Sequence, residues 1–280
     1  MMHPMRPGPM AFALALGSVA ACRPTAPAAA PGPCVAESAT RPGLRVDRIP
    51  GRDGCVTLVR IDPDRFQLRL LTALADGGSR TAPEWAHDFG LTGLINASMF
   101  APDQRSIGLL VAGTSVNRDR DNERLGAFLA FDPINKGNKG NKGDERDAPV
   151  VLTGRDCPGF DLANLRRRYR SIVQNYRLLD CDGKPVTWKD ARRFSAAAVG
   201  LDENGHAVFV HTRAPANMSE LAVILAEQRL RAAMYVEGGP EASLYVDAGP
   251  IEVSEVGSGL LGTSSFFKIP NVLGFQPRED

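Results

Sequence analysis

Residues 197–211 read AAVGLDENGHAVFVH: two apolar runs, Ala197–Leu201 and Ala207–His211, flanking Glu203-Asn204-Gly205. Asn-Gly between apolar runs is the strongest short hairpin signal, because both residues accept the positive φ of a tight hairpin turn. The stretch therefore predicts two adjacent antiparallel strands. Working outward, the pattern recurs. Val56–Ile61 and Phe66–Leu71 flank Asp62-Pro63-Asp64 and predict another hairpin, and Leu178–Asp180 and Pro185–Thr187 flank Asp182-Gly183 in the same way. Helix signals are fewer. Thr81-Ala82-Pro83-Glu84 has the form of a capping box ahead of Trp85–Phe89, with Gly90 as the stop. Asp161 is placed to cap a second helix reaching about Arg170, and Asn217 with Glu220 opens a third over Met218–Arg231, with Leu221, Ile224 and Leu225 on one face. Hairpin-joined strands with few helices between them predict an α+β fold, a single domain of mixed or antiparallel sheet with a few packed helices.

The stretch with most chemical content is Met234–Tyr245, MYVEGGPEASLY. The apolar run Met234-Tyr235-Val236 ends on Glu237, followed by Gly238, Gly239, Pro240 and a second carboxylate, Glu241. A short apolar run closed by glycines reads as a buried strand opening onto a surface loop, where backbone can approach a ligand. Glu237 is the leading candidate for chemistry, against a plain reading as a turn carboxylate. Asn96 ends another strand-like run, Leu94–Asn96, where it could bind sugar hydroxyls or simply satisfy a turn. Gln174, Asn175 and Arg177 follow an apolar approach as a pocket lining would. Arg166, Arg167, Arg168 and Arg170 suit phosphate oxygens but also a solvated helix face, and Arg192 and Arg193 are open in the same way. Ser243 and His211 do not make a serine hydrolase, because Ser243 lacks the Gly-x-Ser-x-Gly elbow.

Residues 1–21 read as a secretory signal, with Arg6 ahead of an apolar run from Met10 to Ala21 that is too short to span a bilayer. Val19-Ala20-Ala21-Cys22 looks like a lipoprotein processing site that would leave lipid on Cys22; an ordinary cleavage near Ala28–Ala30 is the rival. Of the five cysteines, setting Cys22 aside leaves Cys34, Cys55, Cys157 and Cys181, an even set suited to an oxidising compartment. The sequence-local pairing is Cys34–Cys55 and Cys157–Cys181, one of three possible, each closure worth about 3 kcal/mol. No Cys-x-x-Cys occurs and the histidines are scattered, so no zinc site is expected.

The proline- and alanine-rich segment 22–43 reads as a flexible tether and 44–277 as the domain, interrupted by a mobile insertion over 134–147 where Asn-Lys-Gly repeats three times. Without residues 1–21, basic and acidic side chains balance at 32 each, which argues against a nucleic-acid partner. Membrane attachment would come through lipid, on the periplasmic side or at the outer membrane of a bacterial envelope.

Together these segments resemble the phosphodiester glycosidase family, which includes bacterial secreted proteins and the enzyme that uncovers mannose 6-phosphate. The resemblance runs from Trp85 to Phe275, through Asn96–Phe100, Ile107–Leu109, the Gln174 segment, Ala198–Asp202, Glu237–Gly239 with Ser243–Tyr245, and Ile269–Gly274. It implies hydrolysis of a sugar-1-phosphodiester. Glu237 would serve as base or nucleophile and Asn96 and Arg193 would assist, while Gln174, Asn175, Arg177, Gly238, Gly239 and Ser243 would line the pocket. No cofactor is implied, with a divalent cation left open. The chain departs from the family at the site. Glu237 stands where members usually carry aspartate, Ala196 where arginine is common, and Gln174-Asn175-Tyr176-Arg177 replaces Gln-Ser-Gly-Pro. The alternative is a lipoprotein that has kept the pocket to bind an envelope glycan or a partner without turnover.

Overall fold

The computed structural model describes residues 34–135, 148–258 and 266–278. The first half contains β1 (Glu37–Arg41), β2 (Leu44–Pro50), β3 (Cys55–Ile61), β4 (Phe66–Thr72), α1 (Ala73–Asp76), α2 (Ala82–Phe89), β5 (Gly93–Asn96), β6 (Leu110–Ala112), β7 (Ser115–Arg118) and β8 (Ala127–Pro133). The second contains β9 (Val150–Gly154), α3 (Leu162–Arg168), β10 (Tyr169–Arg177), β11 (Phe194–Asp202), β12 (Ala207–Ala216), α4 (Met218–Glu227), β13 (Leu230–Gly238), a 3-10 turn (Gly239–Glu241), β14 (Ser243–Ala248), β15 (Ile251–Val256) and β16 (Asn271–Pro277).

Two antiparallel sheets result. An eleven-stranded sheet runs β1-β2-β3-β12-β11-β13-β10-β6-β7, with β8 and β9 joined through β10, and a five-stranded sheet runs β15-β14-β5-β16-β4. Their facing surfaces share one core: Val199, Phe209, Met234 and Val236 from the larger sheet meet Ile95, Leu244, Val246 and Phe275 from the smaller. Helices cover the outer faces. Leu221 and Leu225 of α4 lie on Ala198, Val210 and Ala233; Trp85 of α2 lies on Leu94 and Val272; Leu165 of α3 lies on Phe128 and Ile172. The architecture is thus mainly β with few helices, compatible with the α+β expectation in its coarse form. Central strands are buried on both faces, which is why β12 is a near-continuous apolar run. Ala207 and Phe209 face the inner core, Val208 and Val210 the outer one.

The expected β11–β12 hairpin forms, with Ala197 opposite His211, and a bridge between Leu179 and Pro185 closes the small reversal at Asp182-Gly183. The hairpin expected around Asp62-Pro63-Asp64 does not form. Both edges of β3 are taken, by β2 and β12, so after the turn β4 crosses to the other sheet and pairs with β16. There Phe66 packs edge-on to Phe275 at 5.4 Å. Both capping boxes are present, at Thr81/Glu84 and Asn217/Glu220, and Asp161 caps α3. Two helices end sooner than expected: α3 gives way to β10 at Tyr169, and α4 stops at Glu227, with Arg229 at φ 59° turning the chain into β13.

The disulfides are Cys34–Cys55 and Cys157–Cys181. Within the expected tether, residues 37–41 form β1, paired along β2, and Cys34 is tied to the start of β3 by its disulfide. The expected signal peptide over 1–21, the lipidation site Cys22 and residues 136–147 of the expected insertion lie outside the described residues. Among the described residues, no helix is long and apolar enough to cross a membrane.

Candidate active site

Glu237 sits near the end of β13 beside β11. The register runs Ala197–Glu237 and then Ala198–Tyr235, so Val236 is the extra residue of a β-bulge. Bulges break plain alternation and re-aim side chains, and they gather next to functional sites. The carboxyl is buried, and its Oε1 accepts the Gly238 N–H at 3.0 Å. Burial raises its pKa most, the Gly238 bond opposes this, and the charge of Glu241 adds to it, for a value of about 8. Gly238 itself has an ordinary extended φ. It is glycine because a Cβ there would strike the Tyr235 hydroxyl and the Phe194 ring. Gly239 begins the 3-10 turn at φ 73°, where a side chain would be strained.

That turn is clamped from both sheets. Asn96, at the end of β5, donates from Nδ2 to the Glu241 carbonyl at 3.1 Å and accepts the Ser243 N–H at 2.7 Å. The Ser243 hydroxyl also donates to the Glu241 carbonyl, at 3.0 Å. From the larger sheet, fully buried His211 places Nε2 3.2 Å from the Ala242 carbonyl and Nδ1 2.9 Å from Glu255. Glu255 accepts the Thr57 hydroxyl at 2.7 Å as well. Burial pushes its carboxyl up, but the bond and charge of His211, the bond from Thr57 and the charge of Arg48 outweigh it and leave the pKa below the usual range.

The other residues expected at the site have firm partners. Gln174 uses its whole amide: Oε1 accepts from the Leu109 and Asn122 N–H groups, and Nε2 donates to the Asn122 and Leu125 carbonyls, all within 3.0 Å. It staples the 106–125 segment to β10. Asn175 donates to the Val236 carbonyl at 3.4 Å, directly beside Glu237. Arg177 lies opposite Met234, so the ladder carries it away from Glu237. It forks onto Asp156 and lies 3.6 and 3.4 Å from the sulfurs of Cys157 and Cys181. Arg193 pairs with Glu220 and Asp53 and donates to the Pro215 carbonyl at 2.8 Å, tying the entry to β11 onto the start of α4. The structure thus gathers Glu237, Gly238, Gly239, Asn96, Ser243 and Asn175, and engages Gln174, Arg177 and Arg193 elsewhere. Asp156, Cys157 and Cys181 come close enough to suggest a metal cluster, but both thiols are spent in the disulfide.

Sequence reasoning missed Tyr235, whose hydroxyl overlies Gly238. Burial, then the charges of Glu237 and Glu241, push its pKa far up, so the phenol keeps its proton. Within MYVEGG the tyrosine reads as strand filling, and nothing local distinguishes it. A cavity of about 990 Å³ lies elsewhere, between β4 and β8 and lined by Phe66, Leu68, Leu70, Phe131 and Val150, none of them a candidate site residue.

The fold recurs in solved structures. A hypothetical protein from Synechocystis superposes with a TM-score of 0.60 at 14% identity over 87% of this chain and 64% of that one, so this chain spans less than two thirds of its length. The catalytic domain of zebrafish N-acetylglucosamine-1-phosphodiester alpha-N-acetylglucosaminidase, auto-inhibited by its pro-peptide, gives 0.56 at 12% identity, covering 87% of this chain and 82% of that one. An exported protein from Burkholderia pseudomallei gives 0.54 at 13% identity, covering 83% and 74%. No curated protein matches the sequence. The sequence pattern described as phosphodiester glycosidase matches residues 89–276, which takes in α4 and every strand from β5 to β15. This chain belongs to the phosphodiester glycosidase family.

Proposed function

We propose that the protein hydrolyses a sugar-1-phosphodiester in the cell envelope, with Glu237 as its proton donor. The observation that carries this is the buried carboxyl at the β13 bulge, with a pKa of about 8, beside the more exposed Glu241. Two carboxyls whose environments differ in this way divide acid and base roles between them. At neutral pH Glu237 is largely protonated, so it does not repel an anionic phosphodiester. As the bond between the anomeric carbon and the phosphate oxygen breaks, its electron pair stays on oxygen and the Glu237 proton follows. Water bonds to the anomeric carbon and yields its proton to Glu241. This reverses the role expected from sequence, where Glu237 is base or nucleophile, and the reversal follows from its desolvation.

The test is a panel of sugar-1-phosphodiesters with the soluble 34–280 chain and its Glu237→Gln variant. We expect the substitution to lower kcat by roughly 10²–10⁴-fold, the usual worth of a general acid. Wild-type kcat/KM should fall as pH rises through about 8. A rate that instead climbs through that pH returns Glu237 to the base or nucleophile role, and undiminished turnover by the variant sinks the assignment.

One observation favours the second reading, a glycan-binding lipoprotein without turnover. Arg177 and Arg193, the cations expected to meet the phosphate, both sit on carboxylates. Retention of a glycan with no hydrolysis across the panel would establish it. Lipid on Cys22 is a separate part of the proposal, checked by the mass of the N-terminal peptide from membranes.

A further inference from the structure

Beside the Glu237 bulge, four aromatic residues from three strands and one loop come together. Tyr176 lies next to the end of β10, Trp188 lies on the loop before β11, Phe194 opens β11 and Tyr235 sits on β13. Ring centroids are 5.2 Å apart for Tyr176–Trp188, 6.3 Å for Trp188–Tyr235 and 6.2 Å for Phe194–Tyr235, each edge-to-face. Tyr176, Trp188 and Phe194 are only partly buried, and Met99, three residues past Asn96, packs against the same cluster. The Trp188 backbone is pinned to α4 by the Ser219 hydroxyl at 3.0 Å, yet its indole N–H, shielded from solvent, has no acceptor among the described residues. A buried donor left in this way is costly and calls for a ligand or water oxygen. Of the nearby cations, Arg192 forks onto Asp190 through Nε and Nη2 at 2.9 and 2.6 Å, and Lys189, next to Trp188, is exposed.

We propose that Tyr176, Trp188, Phe194 and Tyr235 form a subsite for a pyranose ring, a reading that rests on a sugar being the substrate. A pyranose has an apolar face of C–H groups and a rim of hydroxyls. The cluster offers apolar ring faces with polar edges, two phenols and an indole N–H. A flat aromatic ligand would leave the indole donor unmet, and a phosphate would meet Lys189 at the edge of the cluster and not its ring faces. The subsite therefore selects the sugar, and it explains Gly238: any side chain there would displace Tyr235 and Phe194.

The test reads binding, not turnover. The chain has two tryptophans, and Trp85 is fully buried under the smaller sheet, so Trp85→Phe leaves Trp188 as the sole fluorescent reporter. We expect N-acetylglucosamine or glucose to shift its emission saturably, at least tenfold more weakly after Tyr176→Ala or Phe194→Leu, with no response to inorganic phosphate. Saturation-transfer NMR of the same sugars with the unmodified protein covers the case in which Trp85→Phe fails to fold. Saturable binding without any hydrolysis would uphold the subsite and reject the hydrolase. Hydrolysis of a sugar phosphodiester with Trp188 silent, or a response to phenyl phosphate but to no sugar, would overturn the subsite and leave the hydrolase standing.

Discussion

A carboxyl kept neutral by burial binds a proton that the unfolded chain releases, and this makes Glu237 expensive. Its folded pKa of about 8 lies above the ordinary value of 4.5, so between these limits the unfolded state holds fewer protons and stability falls as pH rises. The penalty is absent below about pH 4.5, grows through the interval and is complete above about 8. Glu237→Gln keeps the acceptor for the Gly238 N–H and does not titrate. It should therefore raise Tm at pH 8, by up to a few kcal/mol in stability, and leave Tm nearly unchanged at pH 4.5. A thermal scan at the two pH values checks this; equal shifts at both would refute the linkage. Gln174 behaves in the opposite sense. Its four amide bonds are buried, so Gln174→Leu strands two N–H groups and two carbonyls, at a cost of about 3 kcal/mol or more. Urea unfolding measures it. A loss of turnover matched by that loss of stability would mark a structural residue. From the sequence, Gln174 and Glu237 look alike as polar residues at apolar strands; what separates them is whether partners are in place.

At the level of elements, the caps and the Asn-Gly hairpin were readable because each is decided within a few residues. Thr81 meets Glu84 and Asn217 meets Glu220 through adjacent backbone, whatever the rest of the chain does. Asp62-Pro63-Asp64 announces a reversal equally well, but a turn cannot specify which sheet receives the next strand. The loop before β11 shows the same limit. Arg192 and Arg193 are adjacent, yet one forks onto nearby Asp190 while the other reaches Asp53 and Glu220. Arg193 joins the loop to α4, so Arg193→Ala should lower stability by about 1–3 kcal/mol, leaving Glu220 and the Pro215 carbonyl short of a donor. Its kcat with a sugar phosphodiester should change less than threefold at a temperature where the variant is folded. A kcat loss comparable to that of Glu237→Gln would restore Arg193 to the catalytic role.

Across the whole molecule, the two sheets are joined at the candidate site by His211 of β12 and Glu255 of β15, 2.9 Å apart in the interior. Removing His211 leaves Glu255 with only the Thr57 hydroxyl and Arg48 to offset its burial. His211→Leu should cost roughly 3–5 kcal/mol, and adding Glu255→Gln should return part of it, as a double-mutant cycle by urea unfolding would show. Additive losses would mean that the two act independently. The amino-acid sequence by itself determined the short-range features: turns, helix caps, apolar strand runs, and a glutamate at a glycine turn. Each depends on φ preferences, alternation or composition within a few neighbours. Only the tertiary structure decided the pairing of sheets and charges. The bonds concerned join Asn96 to Glu241, Arg193 to Asp53 and Gln174 to Asn122, 145, 140 and 52 residues apart. Whether Glu237 holds a proton is decided there too, since its pKa is set first by exclusion of water, and exclusion of water is a property of the packed sheets.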